Sequence, residues 1–235
     1  MKTDRGPSMD KTAIRHAATV IMVRDGDTNP RILMGQRGAR AAFMPNKFVF
    51  PGGAVDDADA SIALATPLQP ACIAQLSHET DAALIPAIAT AAIREVWEET
   101  GLILGETGTW ATPPPPDWTS FAASGHLPSA AGLTFVFRAI TPPGRPRRFD
   151  ARFFMVDAAQ VCGDVDDFTH ACDELSHLQW IALEDVRHFD LPFITQVVMA
   201  EVTNLIRTNT TPRTVPFFRN DDEHSLFLRL DGAQP

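Results

Sequence analysis

Glu95, Glu98 and Glu99 stand at i, i+3 and i+4 in a stretch from Ala87 to Thr100 that has no Gly or Pro and is rich in Ala, Ile and Glu. That composition predicts a helix, and Gly101 follows where a left-handed residue commonly ends one. On such a helix the three glutamates share an arc, separate from the arc of Ala89, Ile93, Val96 and Trp97 that reads as core-facing. Carboxylates this close repel one another by about a few tenths of a kcal/mol per pair, and a cation among them would reverse that cost. Oxygen-only donors suit a hard ion, Mg²⁺ or Mn²⁺, which keeps several waters and bridges to phosphate oxygens. A solvated acidic face is the plainer reading of a glutamate trio. Two neighbours favour the ion: Arg94 immediately precedes the trio, and an upstream strand ends in Pro51-Gly52-Gly53, a backbone with no side chain in the way of a phosphate.

Gly53 together with Arg94-Glu95-Val96-Trp97-Glu98-Glu99-Thr100-Gly101-Leu102 resembles the Nudix box, Gly-x5-Glu-x7-Arg-Glu-U-x-Glu-Glu-x-Gly-U, where U is a bulky aliphatic residue. The second half matches at every specified position. The first half departs twice. Asp59 stands where the pattern has Glu, and Arg94 lies 41 residues after Gly53 rather than 14, so 27 extra residues sit inside the motif. A split box, with Phe43-Met44-Pro45-Asn46 ahead of it and acidic residues at 56 and 59, is similar to the subgroup of the peroxisomal coenzyme A diphosphatase with an interrupted box. Leu33-Met34-Gly35-Gln36-Arg37 partly resembles a segment that coenzyme A-cleaving members carry before Pro-Gly-Gly. Phe149 to Phe154, Glu174 and Trp180 look like the same subgroup.

The resemblance implies the Nudix fold, a mixed sheet between helices in an α/β/α sandwich. It also implies Mg²⁺- or Mn²⁺-dependent hydrolysis of a pyrophosphate in a nucleoside diphosphate derivative. Coenzyme A or acyl-coenzyme A is the leading substrate, with NADH or ADP-ribose as the alternative. A non-catalytic nucleotide-sensing module is a third reading, opposed by the complete Arg-Glu-x-x-Glu-Glu core. Glu95, Glu98 and Glu99 would hold the metal, with the carbonyl near Gly53 as a further ligand. Glu98, Glu99, Arg94 and Glu174 are the expected catalytic residues. Arg94 is expected to pair with a carboxylate such as Asp59 and so orient the helix. Glu174 would complete the metal shell or act as base.

The remaining composition bounds the partners. The net charge of −9 and a pI of about 5.2 leave no footprint for duplex nucleic acid. Cys72, Cys162 and Cys172 are scattered, so neither a zinc site nor a disulfide framework is indicated. No apolar run approaches membrane-spanning length and no signal peptide is evident, so a cytoplasmic protein is expected.

A length of 235 residues with 45% hydrophobic content suits one domain over 13–235, after a loose polar segment at 1–12. Ala17–Val23 and Arg31–Met34, separated by a turn-rich hexapeptide, predict a hairpin. Arg37 and Arg40 follow, on the approach to Gly52 and Gly53. They are either exposed loop arginines or contacts for substrate phosphates, for which Arg is suited.

The insertion at about 60–86, with Ala71–Leu76 helical, is expected to pack beside the site as a lid or a homodimer contact. Pro113–Pro116 reads as a stiff surface linker, and a short helix is expected over Asp117–Ala123. Strands are predicted at Leu133–Ile140, Arg152–Val156 and Leu178–Ile181. Between the first two lies a loop carrying Arg145, Arg147 and Arg148. That loop is either a solvated turn or the receiver of distal phosphates of an anionic substrate, with Arg147 and Arg148 as the contacts. A last helix is predicted from Phe193 to Arg207 with Ile194, Val197, Val198, Val202 and Ile206 buried, followed by a strand near Leu226–Leu228.

Overall fold

In strand β1 (Ile14–Arg24), Ala18, Val20 and Met22 alternate with Ile21 and Val23, and both sets are buried on opposite faces. A strand covered on both faces belongs at the centre of a layered structure. The computed structural model describes residues 13–41, 44–220 and 224–230. The segment at 1–12 and Phe43 lie outside them.

The hairpin partner of β1 is β2 (Arg31–Arg37), followed by the short strands β3 (Phe48–Val49) and β4 (Gly52–Ala54). Among the described residues strands β5 (Gly105–Thr107) and β6 (His126–Pro128) pair with each other, outside the main sheet. Later in the chain come β7 (Thr134–Ile140), β8 (Arg148–Asp157), β9 (Leu175–Ala182), β10 (Pro216–Asn220) and β11 (Ser225–Arg229). Among the described residues, nine strands form one sheet ordered β11-β10-β7-β8-β1-β2-β3, with β4 also on β1 and β9 on β2. The β1–β8 and β7–β10 pairs are parallel and the rest antiparallel, so the sheet is mixed.

Helices cover both faces. On one lie α1 (Pro70–Leu76), α2 (Leu84–Thr100) and α3 (Thr119–Ala123), packed over Ala18, Val20, Leu33, Phe135 and Phe154. On the other lies α4 (Phe193–Thr208), over Ile21, Ile32, Val136 and Phe137. The architecture is therefore the expected α/β/α sandwich. In α4 the buried residues are Thr195, Val198, Met199, Val202 and Leu205. Ile194, Val197 and Ile206 are only partly buried, at the edge of the stripe.

Helix α2 starts at Leu84, three residues earlier than expected. Pro86 sits in its first turn, where an amide hydrogen has no partner to lose. The helix ends at Gly101, left-handed at φ 75°, whose N–H donates to the Trp97 carbonyl. Only Leu84, Pro86 and Glu98 escape burial, so the acidic arc faces protein rather than solvent.

The insertion contains α1, and the rest of it is a mixture of extended and turn backbone. Ile62, Leu68, Cys72 and Leu76 bury it against the sheet. Its return is tied down by two arginines. Arg138 donates to the carbonyls of His78 and Glu79, both at 3.3 Å, and Arg152 to Thr80 Oγ1 at 3.2 Å. Both arginines are buried and share Asp150.

The expected basic loop is shorter than its composition suggests, because β8 already begins at Arg148. That side chain is buried, donating to the Thr141 carbonyl at 3.1 Å and the Asn220 carbonyl at 3.4 Å. The reading of Arg148 as a solvent-facing substrate contact is corrected accordingly; Arg147 remains exposed. Among the described residues no helix is long and apolar enough to cross a membrane.

Candidate active site

Strand β4 brings Gly52 and Gly53 beside Thr19 and Ala18 of β1 and under the acidic arc of α2. Close approach is what requires glycine here. A Cβ on Gly53 would fall on the Glu95 carboxylate, and one on Gly52 would lie 2.5 Å from the Ala18 carbonyl oxygen. The Gly52 N–H donates to Glu99 Oε2 at 2.7 Å. The main chain of the loop and the carboxylates of the helix therefore touch directly.

Arg94 organises the other side. Its Nε and Nη2 donate to the two oxygens of Asp59 at 2.9 and 3.0 Å, and Nη2 also donates to the Ala54 carbonyl at 2.8 Å. Nη1 lies between Glu95 and Glu98, 2.9 Å from one and 3.1 Å from the other. Asp59 is a methylene shorter than the residue the motif expects. It reaches because a 3₁₀ turn over Asp57–Ser61 carries it inward, where its Oδ2 also accepts from the Asp56 N–H. Burial opposes the arginine's charge, but Asp59 and the two glutamates more than offset it, holding Arg94 protonated.

The glutamates carry more negative charge than Arg94 offsets. Burial pushes the Glu95 carboxyl up to about 7 against the pull of Arg94, and raises Glu98 as well. Glu99 stands well above the usual carboxylate range, first through burial and then through the charge of Glu95; the Gly52 N–H pulls the other way.

Among the described residues no three Asp, Glu, His or Cys side chains already stand together as an ion's ligands; Arg94 Nη1 lies between Glu95 and Glu98. Yet among the described residues Glu99 Oε1 is buried without a hydrogen-bond partner. An acceptor orphaned among repelling carboxylates has the chemistry a hard divalent ion satisfies. The residues present fit such an ion.

Arg37 and Glu174 form the rim. Arg37 closes β2 opposite Leu175 of β9, and its Nη2 lies 2.6 Å from Glu174 Oε1. Both act on Glu99, and Glu174 also on Glu95. The structure thus brings together Glu95, Glu98, Glu99, Arg94, Gly52, Gly53, Arg37 and Glu174. It leaves Arg40 and Arg147 exposed on loops.

Composition alone did not point to the segment 168–172. The Cys172 N–H donates to the Glu98 carbonyl at 2.8 Å, and the His170 ring stacks on Trp97 at 5.6 Å. Asp117 adds to the charge felt by Glu98. The acidic run around His170 was the one visible signal, and it reads equally as a solvated loop.

No family-level sequence model matches the chain. A curated relative from Caenorhabditis elegans, provisionally named nudix hydrolase 7, is 31% identical over 179 residues, covering 71% of this chain and 51% of the relative. The chain thus spans about half the length of that curated relative. A crystal structure of a Nudix hydrolase from Alicyclobacillus acidocaldarius is similar at a TM-score of 0.56 and 27% identity, covering 83% of this chain and 96% of that one. The chain thus has the Nudix fold, and its split motif, whose two halves meet in space, is similar to that of the Nudix hydrolases it resembles in sequence and structure.

Proposed function

We propose that the chain is a Mg²⁺- or Mn²⁺-dependent hydrolase of the pyrophosphate link in a nucleoside diphosphate derivative, with coenzyme A or an acyl-coenzyme A as its preferred substrate. The observation that carries this reading is the contact between the glycine backbone and the acidic arc, with one acceptor, Glu99 Oε1, left without a partner among the described residues. Glu95, Glu98, Glu99 and the Gly53 carbonyl would hold the ion, which when bound would offset phosphate charge and make water more acidic.

The chain's own groups do the rest. Arg94, buried and bonded on every side, keeps Glu95 and Glu98 in place and spends no donor on substrate. Gly52 and Gly53 leave the backbone open to a phosphate. Arg37 supplies a cation beside the carboxylates, and Glu174 a carboxylate with 53% of its side chain exposed, reachable by water. The preference for coenzyme A is supported by the split box, by the Leu33–Arg37 segment and by the exposed Arg147.

Mg²⁺-dependent hydrolysis of coenzyme A, acetyl-coenzyme A, NADH, ADP-ribose and diadenosine polyphosphates, with products identified by mass, tests the reading. Release of adenosine 3',5'-bisphosphate from coenzyme A is expected. Faster turnover of another member would keep the catalytic assignment and remove the substrate. Failure on all of them with either ion would leave a nucleotide-binding module.

A further inference from the structure

The Arg37–Glu174 pair is built unlike the other charged contacts of the site. Arg94 spends every nitrogen on partners that hold it. Among the described residues Arg37 makes one end-on contact through Nη2, and its Nε is buried without any acceptor. The main chain around it is pinned, with its N–H on the Lys47 carbonyl and its own carbonyl taken by Asn46 N–H. Leu175 anchors the other partner, buried next to Glu174. Two fixed backbones thus hold two side chains that are free to exchange partners. An exposed ion pair of this kind contributes little, whereas a phosphate offers a guanidinium two oxygens in the fork geometry it matches.

We propose that this pair is an exchange latch: a phosphate of the substrate takes Arg37 from Glu174, and the exchange releases that carboxylate, the base the family resemblance already implies, to accept the proton of the attacking water. The inference rests on the hydrolase reading for its second half only. In that step the water oxygen forms a bond to one phosphorus, and the bridging P–O bond breaks with its electron pair on the departing phosphate. The water proton goes to Glu174 and later to solvent. Before substrate arrives, Arg37 keeps Glu174 occupied. Phosphate recognition and readiness to accept the proton are then one event.

Removing either partner moves phosphate affinity in opposite directions, which a merely structural ion pair cannot do. Calorimetric titration with ADP and Mg²⁺ reads this without turnover. Glu174→Gln frees Arg37 and is expected to tighten ADP by about threefold to fivefold. Arg37→Met is expected to weaken it about tenfold, and Arg37→Lys by less, since Lys keeps charge without the fork. The double variant should match Arg37→Met, because Glu174 acts on ADP only through Arg37.

On the substrate that the wild type hydrolyses, Glu174→Gln should lower kcat about 100-fold with KM unchanged or reduced, and Arg37→Met should act mainly on KM. ADP binding that is unchanged or weaker in Glu174→Gln overturns the exchange, whatever the activity. A Glu174→Gln kcat within about threefold of wild type overturns the proton-accepting role. Tighter ADP binding in a protein that hydrolyses nothing would keep the exchange and remove the hydrolase reading, so the two failures are separable.

Discussion

Two buried charge clusters sit in this protein with opposite imbalances. Under α2, Glu95, Glu98 and Asp59 pair with one buried arginine, Arg94, while Glu99 accepts from the Gly52 N–H beside them. Beneath the insertion, Arg138 and Arg152 face one buried carboxylate, Asp150. The second cluster is closed by the chain itself. Its surplus positive charge is spent on the carbonyls of His78 and Glu79, on Thr80 and on the Phe217 ring, with Arg152 Nε lacking an acceptor among the described residues. The first cluster has no such closure, and its glutamates are pushed toward neutrality instead. A charge surplus that the fold balances is architecture; one that it leaves open on a glycine backbone is a place for something from outside.

The contrast is broken most sharply at Asp150. Asp150→Ala leaves two buried arginines uncompensated and is expected to destabilise the fold by about 3–5 kcal/mol, read as a lower urea midpoint at constant slope. A loss under about 1 kcal/mol would mean that the cluster does not anchor the insertion.

Charge removal on the other side should have the opposite signature. Glu98→Gln and Glu99→Gln are expected to lower kcat about 100-fold, roughly 3 kcal/mol of transition-state stabilisation. Without metal neither variant should be less stable than wild type, since burial disfavours the charged form of both carboxylates and outweighs the pull of Arg94 on Glu98 and of the Gly52 N–H on Glu99. Unchanged turnover in both would remove the metal assignment.

Metal should sharpen the difference further. Mg²⁺ at 100 times its dissociation constant should stabilise the wild type by about 2.7 kcal/mol, seen as a rise in Tm that EDTA reverses and Glu99→Gln largely abolishes. An equal rise in that variant would place the ion elsewhere. The smallest effect is expected at Arg147. Arg147→Glu should raise KM for coenzyme A about fivefold, near 1 kcal/mol, with less change for ADP-ribose. An unaltered KM would take the basic loop out of the substrate's path.

The helical period carried much of this in advance. Ala89, Ile93, Val96 and Trp97 mark a buried face, and Gly101 marks the end of α2, because helix geometry converts spacing into direction. Asp59 was different. Whether a carboxylate one methylene short could still meet Arg94 depended on a 3₁₀ turn whose inward path no local propensity announces. Arg148 was lost for a similar reason. A basic run reads as loop, and only pairing with β1 through Ile14 draws its last member into a strand.

By itself, then, the sequence determined the helix, its acidic arc, the glycine pair and the family pattern, all of which rest on short-range periodicity and on residue types with few conformational options. The tertiary structure alone decided that 27 inserted residues still leave Gly53 against Glu95. It also decided that the insertion is moored by Arg138 and Arg152, and that Arg37 meets Glu174 across 137 positions of chain. Those contacts join residues far apart in sequence, and the partner of a buried charge is set by whichever strand the sheet places beside it.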